Sequence, residues 1–386
     1  MQYESVSAAA KRLGVTVRAI QKWASNGKIP DAKRIGKPWL IPVDFVGPKQ
    51  TENDKMHSPM PLLNAPFSVG HCMEFIKEIV VEIEHDMALA EYYYFRGEHI
   101  KSSAITEKYL NHPDLSLSIC ANALYAFANI GCGRRHLADY GLNEVKQKAK
   151  LAFHKRASNE AHVAMLFFTN LIAVLMHIKD KEIPEMYDSL EKLPKGLRVF
   201  GAYILAHKAY LNKDYRRALG IADIALSLPE KHYPLPQIYL HLIAAVSLIN
   251  TKHIDEAKTH FIKAIDLAEP DGLFQPFAEH HGLLQGLIES VLRWDKPETY
   301  NRIIFLTESF SGHWRYIHNE ISKKTTTVVL TTNEFSVAML YSRGWKITEI
   351  AAHLQLSERT VKRIVSDIYE KLDITGKAEL RNYMIT

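Results

Sequence analysis

The sequence predicts a mainly α-helical chain: a winged helix-turn-helix module, a helical-repeat middle, and a four-helix module at the C-terminal end. Three observations carry that expectation. Apolar residues recur at three- and four-residue spacing through the middle, and few runs alternate as strands do. One stretch of the middle returns after 39 residues, which is the mark of a repeat architecture. The charge is unevenly divided, +6 over residues 1–50, −4 over 51–322 and +3 over 323–386, so basic ends flank a slightly acidic centre.

Composition bounds the reading. An apolar fraction of 47% is ordinary for a globular protein and large enough to build a real core. No run of 18 uncharged apolar residues occurs, so no membrane span is expected. The start, MQYESVSAAAKRLG, lacks the continuous apolar segment of a signal peptide. Cys72, Cys120 and Cys132 have no metal-ligand spacing, which places the chain in a reducing cytoplasm. Basic ends on an acidic centre are what nucleic-acid-binding ends would show.

At the N-terminal end, Ser7 is positioned to cap a short helix stopping at Gly14. Thr16 caps a second helix from Val17 to about Asn26, with Gly27 as its stop. Helical spacing turns Ile20 and Trp23 inward and Arg18, Gln21 and Lys22 outward. The segment from Lys33 to Pro42 reads as two short strands around Gly36, a hairpin carrying Lys33, Arg34 and Lys37. Ala9-Ala10, Leu13-Gly14-Val15, Trp23, Ile29-Pro30 and Trp39-Leu40-Ile41-Pro42 resemble the winged helix-turn-helix of the excisionase and MerR-like group. That resemblance implies contacts to double-stranded DNA from Thr16, Arg18, Gln21, Lys22, Lys33, Arg34 and Lys37. A module of this kind that contacts protein is the alternative. Its boundary is set at residues 1–45, with a tethering linker over 46–68 because four prolines and many polar residues oppose a regular element.

Residues 69–322 are expected to be all-helical. Asn212-Lys213-Asp214 precedes Ala218, and Thr251-Lys252-His253 precedes Ala257, at the same offset. Two antiparallel helices per unit, with a polar turn between, resemble a tetratricopeptide-like repeat of enlarged period. A weaker copy is expected before it, with Lys179-Asp180 as its turn and Ile183 to Leu190 as its second helix. Another is expected from Leu273 to Phe310. One unit cannot bury its apolar face, so the units stack as an α-solenoid. Such repeats imply a surface for a peptide, protein or small-molecule effector.

The C-terminal end, residues 326–386, is the most informative. Thr331 and Glu334 form a capping-box pattern, and Gly344 stops the first helix. Ile347, Ile350, Ala351 and Leu354 share one face of a short second helix. Ser357 caps the next, whose stripe is Val361, Ile364, Val365, Ile368 and Leu372 and whose opposite face carries Arg359, Lys362, Arg363 and Ser366. Two short helices joined by a tight turn, the second basic on its outer face, make a helix-turn-helix. Leu330-Thr331, Glu349-Ile350-Ala351, Thr360-Val361-Lys362, Lys371-Leu372 and Glu379-Leu380 resemble the DNA-binding domain of LuxR-type regulators. Ile364 and Asp367 stand where that family often has His and Asn; Ile364 is on the apolar stripe, and Asp367 is expected to weaken a backbone contact. The resemblance implies groove contacts from Lys362, Arg363 and Ser366, phosphate contacts from Ser357, Arg359 and Thr360, and further DNA contacts from Lys346 and Thr348. It also implies a dimer-forming last helix from Lys377 to Met384, hence a homodimer at least on DNA.

No catalytic, metal or cofactor site is expected. Glu84-His85-Asp86, Glu91 and Glu279-His280-His281 lack helical zinc spacing and are read as solvated helix faces. The aromatic run Tyr92-Tyr93-Tyr94-Phe95 must divide between core and surface. No phosphate loop, nucleophile elbow or dinucleotide fingerprint occurs. The expected function is sequence-specific transcriptional regulation, with the C-terminal module reading DNA under control of the repeat domain. The alternative is a helical-repeat interaction scaffold that its terminal modules localise to DNA.

Overall fold

The computed structural model describes residues 2–34, 36, 38–45, 60–152, 159–177, 186–228, 231–322 and 330–384. The N-terminal module is β1 (Tyr3–Ser5), α1 (Val6–Leu13), α2 (Val17–Ser25), β2 (Lys33–Arg34) and β3 (Trp39–Pro42). Its sheet runs β1-β3-β2, antiparallel throughout, with Tyr3 opposite Pro42 and Arg34 opposite Trp39. The strand β1 was not expected, and it moves the helix start. Ser5, not Ser7, is the N-cap, its Oγ accepting from the Ala8 N–H at 3.2 Å, because the chain turns directly from β1 into α1. Thr16 caps α2 by accepting from the Ala19 N–H, also at 3.2 Å. Val6, Ala9, Ile20, Ala24, Ile29 and Ile41 close a small apolar core of the module's own.

The expected linker over 46–68 is too long. Met60, Leu62, Leu63, Ala65 and Phe67 are buried in the core of the helical middle. Glu91 accepts from the N–H groups of Leu62 and Leu63 at 2.8 and 3.0 Å, and the Asn64 side chain accepts from Gly196 and Leu197. The prolines hid an apolar segment that needs no regular element to pack. Nor is the N-terminal module loosely tethered. Its inter-helix turn pairs with the middle: Thr16 N–H donates to the Val80 carbonyl at 2.9 Å, and Glu82 N–H to that of Gly14 at 3.1 Å.

The middle comprises α3 (Cys72–Glu78), α4 (Glu82–Phe95), α5 (His99–Thr106), α6 (Leu115–Gly131), α7 (Arg135–Ala152), α8 (Asn159–Leu175), α9 (Lys195–Leu211), α10 (Tyr215–Ser227), α11 (Pro234–Asn250), α12 (Ile254–Ala268), α13 (Gln275–Leu284), α14 (Leu287–Leu292) and α15 (Pro297–Ser322). The repeat is physical. Asp214 N–H bonds the Ala209 carbonyl and His253 N–H that of Leu248, each at 3.0 Å, while Lys213 and Lys252 adopt φ of 65° and 64°. Ala218 and Ala257 are fully buried at the matching packing positions.

Other expectations for the middle change. Lys179-Asp180 and residues 183–185 lie outside the described residues, and Tyr187–Lys192 is a short 3-10 helix instead of part of an α-helix. Gln285 and Gly286, at φ of 49° and 82°, break the last expected unit between α13 and α14. A Cβ on Gly286 would stand 2.4 Å from the Leu354 side chain, so glycine serves both the turn and the close approach of the C-terminal module.

Glu84, His85 and Asp86 are half-buried, but Glu91 and the Glu279-His280-His281 cluster are not solvated faces. Glu91, His280 and His281 are buried, and Glu279 accepts from the hydroxyls of Tyr94 and Tyr239. Burial pushes the Glu91 carboxyl up to about 8 against its two backbone donors. Burial likewise raises Glu279 to about 7, although the two tyrosines pull the other way. Of the aromatic run, Tyr94 and Phe95 are buried and Tyr92 and Tyr93 half-buried.

The C-terminal module is α16 (Thr332–Ser342), α17 (Ile347–Leu354), α18 (Glu358–Leu372) and α19 (Lys377–Tyr383). Thr331 and Glu334 complete the capping box in both directions. Its buried Val337, Leu340, Ile350, Val361, Ile368 and Leu380 join the core of the middle in one continuous cluster.

Candidate nucleic-acid interface

The start of α18 is set by Ser357, whose Oγ accepts from the Thr360 N–H at 3.0 Å and lies 2.7 Å from the Thr360 hydroxyl. This cap points both hydroxyls at the first turn. Val361, Ile368 and Leu372 are buried beneath the helix, with Ile364 and Val365 half-buried beside them. Arg359, Lys362, Arg363 and Ser366 are brought together on the exposed side. Ser366 donates to the Lys362 carbonyl at 3.2 Å, so its hydroxyl offers acceptor lone pairs outward. The far end of α18 is tied down where Lys371 pairs with Glu334 at 2.7 Å. Lys346 and Thr348 are exposed at the start of α17, where the Lys346 N–H is held by Glu349 at 2.8 Å.

The rest of the module is anchored to the middle. Arg343 donates to the Tyr210 hydroxyl and to the Asn250 side-chain carbonyl, at the ends of α9 and α11. His353 donates through Nε2 to the Gln285 carbonyl at 3.0 Å, and Gln355 to that of Ser290 at 3.3 Å. Arg293 bonds Asn333. Under these lies a buried hydrogen-bonded pair, His281 with Glu289 at 3.1 Å, whose carboxylate also accepts from the Ser336 hydroxyl at 3.0 Å. Burial acts to raise the Glu289 carboxyl, but the charge and hydrogen bond of His281, with the Ser336 bond, hold it below the usual range. Apart from His281 with Glu289, none of these partners could be found from local pattern, since each bond joins residues 40 or more apart in the chain. Leu380 of α19 and Met384 just after it turn into the module, leaving Ala378 and Glu379 outward, while Arg381 donates to the Ser342 carbonyl at 3.1 Å.

The N-terminal set is arranged differently. Arg18, Gln21, Lys22, Arg34 and Trp39 line one wall of a groove of about 1010 Å³. The other wall is α3, through Glu74, Lys77 and Glu78. Lys22 reaches across it to Glu78 at 3.5 Å. Thr16 is committed to its cap, and Arg34 lies over the Trp39 ring with 5.7 Å to the centroid. Lys33, on the other face of β2, lies over the Tyr3 ring at 4.8 Å, so the wing does not present both cations together. Lys37 lies outside the described residues.

Among the described residues, no group of three His, Cys, Asp or Glu side chains could hold a metal ion, and no helix is long and apolar enough to cross a membrane. Residues 328–384 match the family model of the bacterial regulatory proteins, luxR family. Residues 5–44 match a model described as a helix-turn-helix domain. No curated protein and no solved structure matches the chain. The two matches support a DNA-binding transcription regulator with a helix-turn-helix module at each end.

Proposed function

We propose that the protein regulates transcription by sequence-specific binding of double-stranded DNA, with α18 as the helix that enters the major groove. The observation that carries this is the exposed face of Arg359, Lys362 and Arg363, whose side chains make no hydrogen bond or ion pair among the described residues. Arginine and lysine at such positions bond guanine edges or phosphates. Lys346, Thr348, Ser357 and Thr360 flank that face and take the phosphates on either side. The N-terminal module is auxiliary in this arrangement. A helix reading the major groove has a phosphate strand along each side, and α3 stands on one side of α2 with two carboxylates. The helical middle contacts both modules and is the part through which a peptide, protein or small-molecule effector would act. A homodimer through the α19 side would pair two such readers on inverted half-sites about one helical turn apart.

The test is selection of bound genomic fragments by the full chain, then affinity for the selected site by fluorescence anisotropy. Lys362→Ala with Arg363→Ala should weaken that affinity at least about thirtyfold, at roughly 1–3 kcal/mol per lost contact. Retained affinity and retained motif would overturn the assignment of α18.

A further inference from the structure

The turn joining α11 to α12 belongs to the helical middle, yet it lies against the edge of the C-terminal module at the start of α17. Lys252, exposed at its apex, is 3.5 Å from Glu349 in the first turn of α17 and 5.9 Å from the centroid of the Trp345 ring. The equivalent turn of the preceding hairpin is brought to the same edge. Arg343 bonds both Tyr210, three residues before Lys213, and Asn250, two before Lys252. Lys213 is also exposed. Helices α9 and α11 pack directly, and packed helices stand about 8–10 Å apart. The two turns therefore stand beside the edge of the C-terminal module where Lys346 is exposed.

We propose that this edge is a second DNA contact surface: phosphates of the strand that passes α17 are bound first by Lys252 and then by Lys213. The inference rests on the reading of α18 as the groove-binding helix. In a helix-turn-helix complex the first helix crosses the sugar–phosphate backbone while the second occupies the groove. Here the first helix is α17, and Lys252 is already in contact with its first turn. An exposed pair such as Lys252 with Glu349 is weak, so a phosphate competes readily for the ammonium group. A solenoid carrying such an edge positions DNA as well as sensing an effector. Any rearrangement of the hairpins would then change affinity directly, with no need to move α18.

The experiment is the salt dependence of DNA affinity for the full chain, using the selected duplex and an unrelated one of the same length. Each phosphate contact contributes about 0.9 to the slope of log affinity against log salt. Lys252→Ala should lower the slope by about one on both duplexes, and Lys213→Ala by less. Glu349→Gln separates this from a merely structural tie. It removes the ion pair but keeps Lys252 and the Lys346 cap, so it should leave the slope unchanged or raise affinity. An unchanged slope in Lys252→Ala overturns the proposal, as does equal loss in Lys252→Ala and Glu349→Gln. Lys362→Ala with Arg363→Ala is measured alongside. If that variant keeps the motif, the reading of α18 has failed; if it loses the motif while Lys252→Ala matches the unsubstituted chain, only the edge has failed.

Discussion

The two helix-turn-helix modules are docked on the same helical middle by opposite parts of themselves. The N-terminal module is held by the turn between its helices, through backbone pairing of Gly14 and Thr16 with Val80 and Glu82. That contact sets α3 opposite the outward face of α2, so that Arg18, Gln21 and Lys22, though exposed, share a groove with Glu74 and Glu78. The C-terminal module is held by α16 and both ends of α17, through Arg343, Ser336, His353 and Gln355. Its α18 is left facing away. The cores differ as well: the N-terminal module keeps a separate one, whereas the C-terminal module shares the core of the middle. The same motif thus presents its outward helix clear of the middle or beside its carboxylates, according to which of its surfaces the middle grips.

The largest expected effect lies in that shared core. Glu289→Ala would leave His281 buried without its partner and Ser336 without an acceptor. Breaking a buried pair by removing one member costs about 3–5 kcal/mol. Chemical denaturation should show that loss, and hydrogen exchange should place it in α13 to α19 while α1 and α2 keep their protection. Equal loosening of both modules would contradict the difference in how they are built in.

A smaller effect concerns pH. Glu279 has its carboxyl raised from 4.5 to about 7 by burial, so the native state holds a proton that the unfolded chain has released. A raised carboxyl contributes stability that is complete below the unfolded value and is lost as pH rises through the folded one. Stability should therefore fall across that window, and Glu279→Gln should flatten the fall. Buried His280, lowered to about 4 by desolvation, acts in the opposite sense as pH drops, so the difference between the two chains is the quantity to measure by thermal unfolding. An unaltered pH profile in the variant would mean that Glu279 stays ionised in the fold.

Much of the C-terminal module was legible because its signals are local. A cap and its partner are three residues apart, as with Thr331 and Glu334 or Ser357 and Thr360, and the stripe of α18 is set by helical period alone. The hairpin turns at Lys213 and Lys252 were legible for the same reason: identical short-range geometry follows from a repeated pattern. What failed depends on distant partners. The strand β1 is three residues long and exists only because β3 pairs with it. The segment from Met60 to Phe67 looked like linker because prolines obscured its apolar residues, whose neighbours come from helices far along the chain. Glu91 reads as a surface carboxylate until Leu62 and Leu63 fold back onto it. The groove facing Lys22 needs α3 in place, which no pattern within residues 1–45 specifies.

The smallest expected effect tests how much the neighbouring carboxylate of α3 weakens the N-terminal module. An exposed pair such as Lys22 with Glu78 contributes about 0–1 kcal/mol. In a chain already carrying Lys362→Ala and Arg363→Ala, Glu78→Gln should raise DNA affinity by less than about fivefold, since backbone pairing still holds the module against α3. A much larger gain in anisotropy titrations would show that this one ion pair holds back DNA binding by the module.

The most direct test of unequal presentation compares two paired substitutions in the full chain, Lys362→Ala with Arg363→Ala against Arg18→Ala with Gln21→Ala, by the DNA motif each selects from genomic fragments. Loss of the motif in the first pair and its survival in the second is the expected result. A motif that survives the first pair and disappears in the second would contradict it, and would make α2 the reading helix.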